Sequence, residues 1–166
     1  MKQVIPTGKQ NFRSLREKDC FYVDKTNFIK EWWESGKKVT LITRPRRFGK
    51  TLNLSMVESF FSNKYQGRSD LFEGLSIWEE EKYRKLQGTI PVISLSFANV
   101  KEDTYEKTKI RICQILTDLY IKYSFLHDSD ALTSKDREYF DRVSDRMTDT
   151  DAVIALYKLS DFMYRF

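Results

Sequence analysis

Residues 43–51 read Thr-Arg-Pro-Arg-Arg-Phe-Gly-Lys-Thr, and the Gly-Lys-Thr that closes this run is a set of residue types suited to holding phosphate. Each has a separate task. Glycine lets the backbone come close to an anion, while N–H groups at the start of a helix point at it and the helix dipole favours negative charge there. The ammonium of Lys50 would act as a point charge on the β and γ phosphates of a nucleoside triphosphate. The Thr51 hydroxyl would be one of the few protein ligands of Mg²⁺, which keeps most of its waters. Arg46, Arg47 and Phe48 complete the loop, and the two arginines add charge of the required sign. The candidate binding residues are therefore Arg46, Arg47, Phe48, Gly49, Lys50 and Thr51, with ATP and Mg²⁺ as the ligands and Thr51 on the metal.

Such a loop needs a strand before it and a helix after it. Val39, Thr40, Leu41 and Ile42 read as a short buried strand, and Leu52, Leu54, Met56, Val57, Phe60 and Phe61 recur at helical spacing. The general pattern places a glycine where this chain has Arg44. Pro45 biases Arg44 toward extended backbone, so the loop is expected to leave the strand without the positive-φ turn a glycine would allow.

Three segments resemble one family closely: Ile5-Pro6-Thr7-Gly8 with Phe12 and Leu15-Arg16-Glu17; Phe21-Tyr22-Val23-Asp24-Lys25-Thr26 running into Phe28-Ile29; and Arg44 to Leu52. They are similar to the bacterial predicted AAA-ATPase, or AAA-ATPase-like, family of the P-loop NTPase class, which tolerates Arg at the first-glycine position. A weaker similarity runs through Ile90 to Phe97, which looks like the family's second core strand, into Asp103-Thr104-Tyr105. The resemblance implies an α/β fold of the P-loop NTPase type, an incomplete parallel sheet flanked by helices, in one nucleotide-binding domain over residues 1–166. It also implies that Val23-Asp24-Lys25 approaches the adenine base, as a similar segment does in related ATPases. The alternative is that Tyr22 and Phe28 pack a helix while Lys25 is solvated.

Length and composition agree with one domain able to bury a core. No apolar run approaches the ~20 residues of a membrane span. The start, Met-Lys-Gln-Val-Ile-Pro, lacks the apolar centre of a signal peptide, and Cys20 and Cys113 lie far apart. A cytoplasmic protein is expected. The single histidine, His127, reads as a helix-end residue, and a zinc site or a Ser/His/Asp arrangement is not indicated. Lys37, Lys38, Arg44, Arg46, Arg47 and Lys50 concentrate the positive charge. That patch 37–50 could serve the nucleotide alone or also engage a nucleic-acid backbone.

Residues 1–20 read as an irregular lead-in, followed by a helix from about Thr26 to Ser35, ended by Gly36. The helix after the loop is expected to reach about Asn63, and 64–90 reads as a turn-rich connection with a short helix at 79–86. Ile90–Phe97 reads as a covered strand. Asp103 with Glu106 marks a helix start. Its expected apolar face is Ile110, Ile112, Ile115, Leu116, Leu119 and Tyr120. Thr133 or Ser134 should start another helix, and Thr148 or Thr150 the last, with Val153, Leu156, Leu159, Phe162 and Met163 facing inward.

Hydrolysis requires a further element, an apolar strand ending in Asp or Asp-Glu. None is visible: the 92–97 strand carries Ser94 and Ser96 where carboxylates are wanted, and Glu79, Glu80 and Glu81 read as a solvated helix start. In the family that acidic strand follows a helix like 149–163, so the chain reads as truncated. ATPase activity is accordingly expected of the full-length protein, with a partner protein or a missing C-terminal half, and binding without turnover is expected here. Strands 39–43 and 90–97 would then flank a gap.

Overall fold

The computed structural model describes residues 4–166, and the described residues form two compact units, one ending at Val92 and the other running from Ile93 to Phe166. Both are helical; 55% of the structure is helix.

The first unit is built on α1 (Phe12–Glu17), α2 (Asn27–Glu34), α3 (Lys50–Phe61) and α4 (Glu81–Leu86), linked by 3₁₀ turns at Asn63–Tyr65, Ser69–Leu71 and Ser76–Glu79. Its core is aromatic. Phe12 stacks on Phe72 at 5.2 Å, Phe60 meets Phe72 edge-on at 5.2 Å, and Phe61 lies against both Trp32 and Trp33 of α2. Such pairs add to the area they bury, because offset and edge-on rings align their quadrupoles. The last carbonyls of α3 lack helical partners and are satisfied from well downstream: Gly88 N–H donates to Phe60 O at 2.8 Å and Ile90 N–H to Phe61 O at 2.9 Å. This contact fixes the far end of the helix whose near end carries the phosphate loop.

The second unit packs α5 (Tyr105–Lys122), α6 (Ser134–Arg142) and α7 (Asp149–Arg165) around Leu116, Leu119, Tyr120, Phe140, Leu159 and Phe162. The expected starts are present. Thr133 caps α6 in a reciprocal capping box with Asp136, and Thr148 accepts from Asp151 N–H at 3.1 Å. The α5 cap is Thr104, one residue beyond Asp103, whose carboxylate instead pairs with Lys107. The buried faces are rotated from expectation. Cys113 is buried and Ile110 exposed on α5; Ala155 is buried on α7 while Val153 is 82% exposed. In this register the Tyr120 hydroxyl of α5 donates to Ala155 O of α7 at 2.8 Å, and Lys109 pairs with Asp149 across the same two helices.

The expected α/β fold with an incomplete parallel sheet is overturned. Among the described residues there is no strand and no sheet, only two isolated parallel bridges, Val4 with Cys20 and Ser62 with Ile90. Helices complete their hydrogen bonds within one segment, whereas a strand exists only when a neighbour supplies the ladder. Residues 39–43 have no backbone hydrogen bond to any described residue, and Val39 and Leu41 are 86% and 83% exposed. The 90–97 run makes its bridge at Ile90 and then turns its side chains into helical cores, Val92 in the first unit and Ile93 and Leu95 in the second. The irregular lead-in is also corrected, since Asn11 caps α1 by accepting from Ser14 N–H at 2.8 Å; its first three residues lie outside the described residues.

Candidate phosphate-binding loop

Gly49 is the N-cap of α3 and adopts left-handed backbone, φ 75° and ψ 17°. Its carbonyl begins the helical ladder by accepting from Asn53 N–H at 2.9 Å. A left-handed glycine directly before a helix turns the preceding chain back over the helix N-terminus, where the first N–H groups have no intrahelical partner. Arg47 is also left-handed, φ 68°, which is uncommon for a residue with a Cβ. The Lys50 ammonium reaches back across this reversal and donates to the carbonyls of Arg44 and, at 2.9 Å, of Pro45. The loop 44–50 is thus curled around its lysine.

Arg46, Arg47 and Thr51 are exposed and Phe48 is 61% exposed, while Gly49 and Lys50 are half-buried. Ahead of the loop, Trp32 Nε1 donates to Thr40 Oγ1 at 3.0 Å and tethers the 37–43 segment to α2.

The structure adds a residue from outside the motif. A Cβ placed on Gly49 would lie 4.0 Å from Lys25 Nζ, so a second ammonium stands beside the loop. Its position is set by its neighbours. Asp24 accepts from Thr26 N–H and Oγ1 at 2.8 and 2.7 Å and from Ser76 N–H and Oγ at 2.8 and 2.5 Å. Buried Thr26 Oγ1 in turn accepts from Ile77 N–H at 3.1 Å. Burial alone would raise the Asp24 carboxyl, but the hydrogen bonds from Ser76 and Thr26 outweigh it and hold it below the ordinary carboxylate range. Asp24 is thus a structural clamp, and Tyr22, its hydroxyl donating to Met56 Sδ at 3.1 Å, packs onto α3. The sequence points to Lys25 only through the resemblance of Val23-Asp24-Lys25 to a segment that approaches the nucleotide in related ATPases; the Thr26 N–H to Asp24 bond is a local turn that fixes the backbone on either side of the lysine.

Among the described residues, none of Lys25, Lys37, Lys38, Arg44, Arg46, Arg47 and Lys50 lies within ion-pair distance of a carboxylate. Other cations do pair with carboxylates: Arg68 with Glu17 and Asp70, Lys82 with Glu34, Arg165 with Asp136. Uncompensated positive charge at a helix N-terminus suits an anion with several charges. No described cluster of His, Cys, Asp or Glu could hold a metal ion by itself. A cation at this loop would depend on the Thr51 hydroxyl together with oxygens of the anion.

A family model described as "Predicted AAA-ATPase" matches residues 6–156. The chain belongs to that family. Among curated relatives, an Azotobacter chroococcum mcd 1 protein described as an uncharacterized protein in the vnfD 5' region is 32% identical over 117 residues, 70% of this chain. The match spans only 21% of that relative's length. No solved structure matches the chain. No helix in the described residues of this AAA-ATPase-like chain is long and apolar enough to cross a membrane. The loop 44–51 and Lys25 both fall inside the family match.

Proposed function

We propose that this AAA-ATPase-like chain binds ATP·Mg²⁺ through Arg46–Thr51. The observation that carries the reading is the uncompensated cation cluster around left-handed Gly49 at the N-terminus of α3. In that arrangement the first N–H groups of α3 face the polyphosphate, and the Lys50 ammonium exchanges the Arg44 and Pro45 carbonyls for phosphate oxygens. Magnesium, when bound, neutralises phosphate charge, and Thr51 is the residue that would hold it. Arg46 and Arg47 add long-range attraction. No residue is assigned to hydrolysis, and ATPase turnover belongs to the proposal only for the longer proteins of the family. Calorimetric titration of ATP·Mg²⁺ into the wild-type chain and into Lys50→Ala tests the reading: the variant should lose binding, and equal affinity of the two would sink it.

A second reading rests on a different part of the same patch. Lys37, Lys38, Arg44, Arg46 and Arg47 are exposed along one unpaired stretch that also bears exposed Phe48. We infer that such a stretch could follow a nucleic-acid backbone, with Phe48 available to stack on a base. Binding of single-stranded DNA that weakens steeply with salt and persists without nucleotide would support it. Salt-independent or absent binding would remove it.

A further inference from the structure

We propose that Lys25 is a second phosphate-binding ammonium of the loop, held in place by the Asp24–Ser76 clamp. The inference rests on the nucleotide reading above and deepens it. Three observations carry it. The Lys25 ammonium stands beside Gly49, 4.0 Å from where a Cβ would sit, and so beside the N–H groups that begin α3. The ammonium has no hydrogen-bond or ion-pair partner among the described residues, so none of them competes for its three donors. Its backbone is fixed on both sides, by Asp24 to Ser76 and by Thr26 to Ile77, which leaves only the side-chain torsions free.

Two ammonium groups converging on one glycine turn from different parts of the chain make a poor arrangement without an anion, because like charges repel. With a polyphosphate between them the repulsion becomes a clamp: Lys50 approaches from the helix side and Lys25 from the start of α2. Asp24 is a positioning residue in this account, acting through the lysine next to it. The ligand class is the polyphosphate of a nucleotide, for which a second point charge matters more than for a single phosphate.

Calorimetric titration with ATP·Mg²⁺ and with AMP, on wild type, Lys25→Ala, Lys25→Arg and Lys50→Ala, tests the proposal. Lys25→Ala should weaken ATP about ten- to a hundredfold, the range for losing a charge-assisted hydrogen bond, and AMP much less. Lys25→Arg should recover part of the loss. Because Lys25 is exposed and unpartnered, the melting temperature of Lys25→Ala should match wild type, which separates a site effect from a folding one. If wild type binds ATP, Lys50→Ala does not, and Lys25→Ala binds as wild type, the Lys25 assignment is overturned while the loop reading stands. If wild type does not bind ATP, both fall together.

Discussion

Asp24 and Ser76, 52 positions apart, are joined twice: one carboxylate oxygen accepts both the Ser76 N–H at 2.8 Å and the Ser76 hydroxyl at 2.5 Å. The same carboxylate caps Thr26 through its other oxygen. One side chain therefore ties the start of α2 to the 3₁₀ turn at Ser76–Glu79 and fixes Lys25 between.

Asp24→Ala removes the acceptor for four donors, including the buried Thr26 hydroxyl. Solvent reaches Ser76, so part of the loss is recovered by water, and the expected cost is about 1–3 kcal/mol in urea unfolding at neutral pH. The pH dependence follows from the sign of the shift. The folded carboxyl titrates below its ordinary value, so its contribution is present above the unfolded pKa near 3.8 and is lost as pH falls through the folded pKa. Wild type and Asp24→Ala should therefore converge in stability on the acid side. A constant difference down to strongly acidic pH would contradict the clamp.

What the sequence revealed follows the range of each interaction. The Thr133 and Thr148 caps were legible because a capping hydroxyl bonds a group three residues on, and the Gly49-Lys50 turn because its residue types are dictated locally. The Asn11 cap of α1 carries the same kind of signal but has only a six-residue helix behind it, too short to show a period. The misread strands are of another kind. Val39–Ile42 has strand composition, yet composition cannot provide the second strand, and none of the described residues does so. Lys25 is visible only through the resemblance of Val23-Asp24-Lys25 to a nucleotide-approaching segment, and the bond from Asp24 to Ser76, 52 positions away, has no local pattern to announce it. The rotated faces of α5 and α7 have a similar origin: contacts between the two helices, such as the Tyr120 to Ala155 bond and the Lys109–Asp149 pair, lie tens of positions apart in sequence and are invisible to periodicity.

Gly88 is a second long-range fixture, closing the end of α3. It has φ 70°, and a Cβ there would meet Gln66 Cα at 2.6 Å and Gln66 N at 2.9 Å, both backbone atoms that cannot step aside. Gly88→Ala should cost about 1–2 kcal/mol for the left-handed backbone. A further loss of about 1–3 kcal/mol should come from the forced shift. Gly74→Ala is the control, since Gly74 has φ 77° and nothing within 4 Å of the added Cβ. It should show the backbone cost alone. Equal denaturation midpoints for the two variants would mean that the close approach to Gln66 is not maintained in solution.

His127 offers a direct reading of the second unit, because it is the chain's one histidine and its NMR signals need no assignment. Its Nδ1 lies 3.1 Å from Asp128 and its Nε2 3.2 Å from Asp141. The hydrogen bond to Asp128, with the Asp141 charge behind it, holds the ring's pKa above its ordinary 6.5. The imidazolium's contribution is therefore full below 6.5 and is lost as pH rises through the folded pKa. A chemical-shift titration should give a midpoint above 6.5 that falls in Asp128→Asn. A midpoint at or below 6.5 in wild type would show that the pairing does not persist.

Arg47 couples backbone strain to the proposed site. Its φ of 68° is disfavoured for a residue with a Cβ, and strain of this kind gathers where a loop's shape serves a ligand. Asparagine tolerates the left-handed region better, because its short side chain can bond locally. Arg47→Asn should therefore raise unfolding stability by up to about 1 kcal/mol. The same change removes an exposed positive charge beside the polyphosphate, so ATP affinity should drop about two- to fivefold, the scale of one solvent-screened charge. Arg47→Lys keeps the charge and the strain, and should leave both quantities near wild type. The informative comparison is between these two variants under identical salt, because added salt should shrink the affinity loss of Arg47→Asn without altering its gain in stability. A loss of affinity that salt does not diminish would assign Arg47 to shaping the loop instead of attracting the anion.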